Sequence, residues 1–231
     1  MSTPARPPGA PLIELRGIGV RYPGPGRAAL DGIDLTVGHG EFVTLAGPAG
    51  SGKSTLLGVV GLLLRPTAGS YLLNGLDTAS LGDRERAAFR GRQIGCVFQR
   101  SQLLPARSAL ENVMLPVLYA GLPRQRRISA ARAALDRVGL TAAGHVAACE
   151  LSAGEQQRVA IARAIVTEPS LLLCDDPTAS LDEAVAAQVI GLLIDLRREG
   201  RTVLIATRDQ LAAAHSSRNV AVGAGRQGSG R

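Results

Sequence analysis

The chain has 231 residues, 45% hydrophobic, 19% charged and 3% aromatic, with a formal net charge of +7. That length reads as one large domain or one domain with an inserted lobe, and the apolar fraction excludes global disorder. The longest apolar run, residues 56–64, is about half of a membrane span.

Residues 1–11 are Pro-rich, without the apolar stretch of a leader. They and residues 223–231 read as disordered tails around a folded unit, residues 12–222. Within that unit, residues 12–22, 33–37, 41–46, 70–73, 94–98, 171–174 and 202–206 have strand character. Residues 53–64, 152–166, 182–198 and 209–214 have helix character. Several strands are continuous apolar runs, as expected of strands covered on both faces. The alternation predicts an α/β fold with a mostly parallel sheet. Residues 100–150 carry helix periodicity and no strand. Leu110, Val113, Met114, Val117 and Leu118 share one face, with Pro116 placed to kink or end that helix. Ile128, Ala131, Leu135 and Val138 form a second stripe. We therefore expect an α-helical subdomain, about residues 100–165, inserted in the core.

Cys96, Cys149 and Cys174 lack metal-ligand spacing and read as reduced, buried thiols. His39, His145 and His215 are far apart, so no metal-binding cluster is expected from these side chains. Every basic residue except Lys53 is arginine, spread along a chain with no Trp. A nucleic-acid surface would cluster its cations among aromatics, so no nucleic acid is expected. The excess charge reads as a solvated basic surface or as one facing anionic lipid or an acidic partner.

Three motifs carry chemistry. Gly47-Pro48-Ala49-Gly50-Ser51-Gly52-Lys53-Ser54, followed by Thr55, lies between a strand and a helix and fits G-x-x-x-x-G-K-[ST]. Its glycines let backbone amides turn toward phosphate oxygens, and the helix dipole adds to the same anion. Lys53 would reach the β- and γ-phosphates, and Ser54 would bind Mg²⁺. Next, the apolar strand 171–174 runs into Asp175 and Asp176. A carboxylate at a strand's C-terminal end can hold Mg²⁺. Gln99 and Thr207-Arg208 end two other strands, so four strand ends would meet at one rim. Third, Ser152-Ala153-Gly154-Glu155 opens a helix. It reads as a capping box, and also as a second phosphate site that a further copy of the protein would complete.

In order and spacing, these residues resemble the ATP-binding subunit of ABC transporters over about residues 12–215. The resemblance implies a P-loop NTPase core, with N-terminal antiparallel strands beside the parallel sheet. It makes Gly47 to Ser54 the Walker A loop, Gln99 the Q-loop glutamine, and residues 151–155 the signature. Residues 171–175 become Walker B, and Ala179-Ser180-Leu181-Asp182 the D-loop. Tyr22 takes the place of the aromatic that stacks on adenine. Residues 103–121 are similar to the lipoprotein-release and macrolide-export branch. The implied cofactors are ATP and Mg²⁺, the latter held by Ser54, Gln99 and Asp175. The implied partners are a second ATP-binding domain, which would bring Ser152, Gly154, Glu155 and Asp182 to the nucleotide, and transmembrane permease subunits. The implied location is the cytoplasmic face of the membrane.

Three positions depart from that pattern. Asp176 replaces the catalytic glutamate, Arg208 the switch histidine, and Ala153 the signature's first glycine. Aspartate is a methylene shorter, and a positioned base is worth about 10²–10⁴ in rate. Arginine donates hydrogen bonds and cannot accept them. His215 is the nearest imidazole to Arg208 in sequence. ATP binding with slow hydrolysis is expected. The alternative is an ABC-like regulatory or scaffold protein that binds ATP and barely hydrolyses it.

Overall fold

The computed structural model describes residues 10–24 and 28–223. Of the two expected tails, residues 1–9 and 224–231 lie outside the described residues.

The chain builds two sheets. Strands β1 (Ile13–Val20) and β2 (Leu30–Val37) pair antiparallel. With β4 (Ala68–Leu73) and β5 (Leu76–Asp77) they make a four-stranded sheet in the order β2-β1-β4-β5. The second sheet is parallel and orders β6 (Ile94–Val97), β7 (Leu171–Asp175), β8 (Thr202–Ala206), β3 (Phe42–Ala46) and β9 (Arg218–Ala221) as β6-β7-β8-β3-β9. Successive side chains of a strand face opposite ways, so the inner strands feed two cores. Val43, Leu45, Leu171, Leu173 and Leu204 pack with the first sheet and with α1 (Lys53–Val60). Phe42, Leu172, Cys174, Val203 and Ile205 pack on the other side with the longer helices. This double coverage is why these strands read as unbroken apolar runs.

The helical subdomain follows β6. It holds α3 (Ala109–Met114) and α4 (Arg124–Arg137), and leads into α5 (Ala153–Ile165). Ser108 and Glu111 close a capping box on α3. Asn112, fully buried, ties the preceding loop: its amide donates to the carbonyls of Leu104, Arg107 and Ser108, and its oxygen accepts from Leu104 N. α3 ends before Pro116, which starts a 3-10 turn over Pro116–Tyr119, as a residue without an N–H requires. Leu118 is a correction, because it leaves the expected stripe and is 43% exposed. α6 (Glu183–Arg198) and α7 (Gln210–His215) complete the core.

Other differences have local causes. The helix expected over residues 53–64 stops at Val60, where Gly61 caps it and Leu62 takes φ 58°. α2 (Asp83–Gln93) was not expected. Arg86 is its one buried residue, with its guanidinium on the carbonyls of Leu64 and Thr78. A helix polar nearly all round leaves no apolar stripe to read. β9 was also missed, since its four residues at the sheet edge are mostly exposed. The thiols are not uniformly buried: Cys174 is buried, Cys96 intermediate and Cys149 exposed.

Candidate functional site at the sheet edge

Strands β6, β7, β8 and β3 are neighbours running the same way, so their C-terminal ends share one rim. Asp175 on β7 and Leu45 on β3 are both in register with Ala206 of β8, one on each side. At about 4.8 Å between strands, the two backbones are about 10 Å apart. The loop Gly47 to Gly52 starts two residues after Leu45, and Asp176 and Thr207 one residue after their strands. On the far side of β7, Val97 pairs with Cys174, so Gln99, exposed, lies just beyond the same level. The sheet thus brings together all four polar groups that the strand ends were expected to deliver.

The glycine loop is shaped by three left-handed residues: Gly47 (φ 153°), Gly50 (φ 75°) and Gly52 (φ 95°). A Cβ at Gly47 would lie 2.4 Å from the Val222 carbonyl oxygen, and one at Gly52 would lie 2.5 Å from that of Ala29. Backbone approaches this close are open only to glycine. Pro48, Ala49 and Gly50 are exposed and Ser51 is buried. Gly52 caps α1 without a side-chain hydrogen bond, and the first turn has no acid. The amide groups of Lys53, Ser54 and Thr55 begin the helix there, on its positive end. By contrast, α3, α5 and α6 have their first amides capped by Ser108, Ser152 and Asp182. Lys53, the only lysine, folds back so that its Nζ donates to the carbonyls of Gly47 (2.8 Å) and Pro48 (2.9 Å). The result is an amide nest with a cation at its lip, a shape and charge suited to a chain of phosphates. Tyr22 is 52% exposed, with its hydroxyl 3.4 Å from Thr55 Oγ1, so an aromatic face stands beside the nest.

The carboxylate end is held by a ring of hydrogen bonds that sequence reasoning did not find. Asp176 has φ 45°, and its N–H donates to the Ala206 carbonyl at 2.7 Å. Thr207, 3% exposed, donates its hydroxyl to Asp176 Oδ1 at 3.3 Å and accepts from Asp209 N at 3.0 Å. Thr178 Oγ1 donates to Asp209 Oδ2 at 3.2 Å. Asp209 also caps α7 through Leu211 N and Ala212 N. The loops after β7 and β8 are therefore locked to each other. The only sequence signal was the Thr at the end of β8 with an Asp two residues on. Arg208 is exposed. His215 Nδ1 donates to Leu211 O within its own helix, so this imidazole nitrogen is taken up locally.

Ser152 to Glu155, expected to be the signature, sit elsewhere, at the N-terminus of α5. Ser152 Oγ accepts from Glu155 N, while Glu155 Oε2 accepts from Ser152 N (2.9 Å) and Ser152 Oγ (2.7 Å). These bonds hold the Glu155 carboxyl below its usual range. Gly154 leaves no room for a methyl: a Cβ would come 2.5 Å from Val185 Cγ1 on α6. Asp182, exposed, caps α6 through Val185 N at 2.9 Å. The side chains of α5 reach the loop after β6: Gln157 Nε2 donates to Phe98 O (3.2 Å), and Arg163 to the carbonyls of Ser101 (2.6 Å) and Gln102 (2.7 Å). Gln99 is thus bracketed by groups fixed to the signature helix. The sequence offered no hint of this tie, because Gln157 and Arg163 are spaced like any polar residues on a helix.

A sequence profile described as ABC transporter matches residues 30–179. The chain is 49% identical over 226 residues to the lipoprotein-releasing system ATP-binding protein LolD of Anaeromyxobacter dehalogenans, covering 96% of this chain and 95% of that one. It is 48% identical over 221 residues to the macrolide export ATP-binding/permease protein MacB 1/2 of Paracoccus denitrificans, covering 94% of this chain and 33% of that one. The chain thus spans about a third of the macrolide-export relative, whose name joins ATP-binding and permease functions. Among solved structures, the dimeric ATP-binding cassette MJ0796 in a post-hydrolysis state with ADP and Pi superposes with a TM-score of 0.85 at 34% identity, over 92% of this chain and 94% of that one. Two layers of sheet, a glycine nest on β3 and α1, and a helical subdomain ending in α5 are the parts of an ATP-binding cassette, and the chain belongs to the ABC transporter family.

Proposed function

We propose that this subunit binds Mg-ATP at the nest, pairs with a second cassette to enclose it, and drives an export-type permease with slow hydrolysis. The observation that carries the proposal is the uncapped start of α1, with left-handed glycines and Lys53 at its lip, on the same sheet rim as the Asp175 strand end. In this reading Gly47 to Thr55 hold the phosphates, Lys53 swings from the loop carbonyls to the β- and γ-phosphates, and Tyr22 stacks on the base. The donor set of Ser54, Gln99 and Asp175 is all oxygen, which suits Mg²⁺. Bound there, this ion neutralises charge developing on the phosphates.

The N-terminus of α5 would serve the other subunit's ATP. Ser152 and Glu155 are already satisfied within their own helix, so that role belongs chiefly to the backbone amides of Ala153 and Gly154 and to the helix dipole. Asp182, likewise used as a cap, would act by fixing where α6 begins. The base that orients water would be Asp176, set by Thr207. Arg208 would grip the γ-phosphate and cannot accept a hydrogen bond from water. Both changes favour holding ATP over cleaving it. They are also the observation behind a second reading, an ABC-like regulator that closes on ATP without powering transport. The subunit would act on the cytoplasmic face of the membrane.

Calorimetric titration with Mg-ATP tests the reading. Binding is expected in the wild type, with a loss of at least tenfold in Lys53→Ala, since a charge-assisted contact contributes about 1.5–3 kcal/mol. Wild-type protein that fails to bind, or Lys53→Ala that binds equally well, refutes it. Brisk ATP turnover with a permease would exclude the regulator.

A further inference from the structure

One cavity of the helical subdomain shares no lining residue with the nest or with the groove that holds Leu63, Arg90, Gln102 and Arg163. It has a volume of about 300 Å³ and is lined by Leu110 of α3, Arg132 and Leu135 of α4, and Thr141, Gly144 and His145 of the 3-10 turn Thr141–His145. That is the small end of ligand sites, which run about 300–1,000 Å³. At interior packing density it would hold about 220 Å³ of ligand atoms. Leu110, Leu135 and Gly144 are the buried part of the lining, and Arg132, Thr141 and His145 the exposed part. Arg132 and His145 come from different segments. Among the described residues, neither has a hydrogen bond or ion pair within the protein. Asp136 stands four residues after Arg132, at the spacing of a helical ion pair. It accepts instead from the Thr141 hydroxyl, at 2.7 Å, which leaves the guanidinium open.

Buried aliphatic carbon with two N–H donors at the mouth is complementary to an aliphatic chain that ends in an anion. A guanidinium takes a carboxylate through two parallel hydrogen bonds, and an imidazole has an N–H to donate in either charge state. Placing the chain on the two leucines removes apolar surface from water. A cation would be repelled by Arg132, and a neutral molecule would gain nothing from it. We infer that this cavity is a binding site for a small aliphatic carboxylate, its chain on Leu110 and Leu135 and its carboxylate on Arg132 and His145. Such an occupant joins α4 to the turn that leads, seven residues on, to Ser152 at the cap of α5, and so braces the approach to that helix. The site needs neither nucleotide nor a second cassette, so it stands or falls apart from the transporter reading.

The probe is octanoate, titrated into the 231-residue protein without nucleotide while the methyl groups of Leu110 and Leu135 are followed by NMR. Saturable shifts of both are expected, with a Kd of about 0.1–1 mM for a ligand of this size. Octylamine keeps the chain and reverses the charge, and acetate keeps the charge and loses the chain. Both are expected to bind at least about tenfold more weakly. Arg132→Ala, at an exposed position, weakens octanoate about tenfold, and His145→Ala about threefold. Arg84→Ala, the same change of charge at another exposed position, weakens it less than about twofold. Gly144→Leu fills the cavity and abolishes binding. A Cβ there meets only Leu135 Cδ1, at 3.6 Å, so the added side chain enters the cavity without displacing backbone. At ten times its Kd, octanoate also raises the wild-type Tm by about 3–5 °C, and that of Arg132→Ala by only about 1 °C. The absence of a saturable shift at the two leucines overturns the inference. So does octylamine that binds as tightly as octanoate, or Arg132→Ala that binds octanoate as the wild type does. Should Gly144→Leu fail to fold, Arg132→Ala decides by itself.

Discussion

The Asp176 carboxylate sets the clearest quantitative expectation. It is one methylene shorter than glutamate, and its Oδ1 is held 3.3 Å from Thr207 Oγ1. Lengthening the side chain by one C–C bond moves the carboxylate outward by about 1.5 Å. A misplacement of about 1 Å costs on the order of 10² in rate, and a positioned base contributes about 10²–10⁴ in all. Asp176→Glu is therefore expected to raise kcat for ATP roughly 100-fold, with KM changed less than about threefold because phosphate binding is unaltered. The gain has a cost. Asp176 sits at φ 45°, a region that aspartate tolerates better than glutamate, so stability falls by about 1 kcal/mol. That corresponds to about 2–4 °C in Tm for a chain of this size, too little to unfold it. Steady-state phosphate release from the purified protein, with a thermal melt alongside, measures both. Adding Arg208→His restores an acceptor and should raise kcat further. A kcat within twofold of wild type in both variants, with ATP still bound, would refute the account of slow turnover.

Other expectations follow from the same geometry. Thr207→Val removes the donor to Asp176 and lowers kcat about tenfold at constant KM, while Thr207→Ser keeps the rate. A loss shared by both variants would show that Thr207 matters only for packing. Gly154→Ala drives a methyl into Val185, 2.5 Å away, and should cost about 1–3 kcal/mol in a denaturant melt. Adding Val185→Ala should return part of that loss, since the two sites touch. Burial pushes the Cys96 thiol up to about 11 and raises that of Cys174 further, so both stay protonated at pH 8. Iodoacetamide should then modify only the exposed Cys149 in the native protein, and all three thiols in denaturant, as read by intact mass.

How much of this was legible in the sequence depends on what each residue does locally. The glycine loop was legible because Gly47, Gly50 and Gly52 are required by their own backbone angles, and Lys53 follows at fixed spacing. The buried strands were legible because both faces are covered, and α5 because Ser152 and Glu155 close a box within a single turn. α2 and β9 were not, since an amphiphilic signal needs an apolar face and these elements bury almost none. The Asp176–Thr207–Asp209–Thr178 ring joins residues up to 33 positions apart, through strands that are neighbours only in the sheet. No local pattern encodes such a pairing.

Two substitutions that look alike in a motif comparison come apart in the structure. Ala153 adds a methyl at an exposed helix start, where nothing in its own chain opposes it, whereas the adjacent Gly154 has no space for one. The signature therefore tolerates the change it has and would not tolerate its neighbour's. Arg208 is of a different kind. It is exposed next to a buried threonine that is fully engaged, so its reach toward the rim is free while its chemistry is confined to donation. An exchange that gives up an acceptor and adds a permanent charge would favour gripping the nucleotide and would act against a step that needs an acceptor. For that reason binding and turnover are expected to separate here: Arg208→His should raise kcat while weakening ATP binding, since a charge-assisted contact to the γ-phosphate is lost.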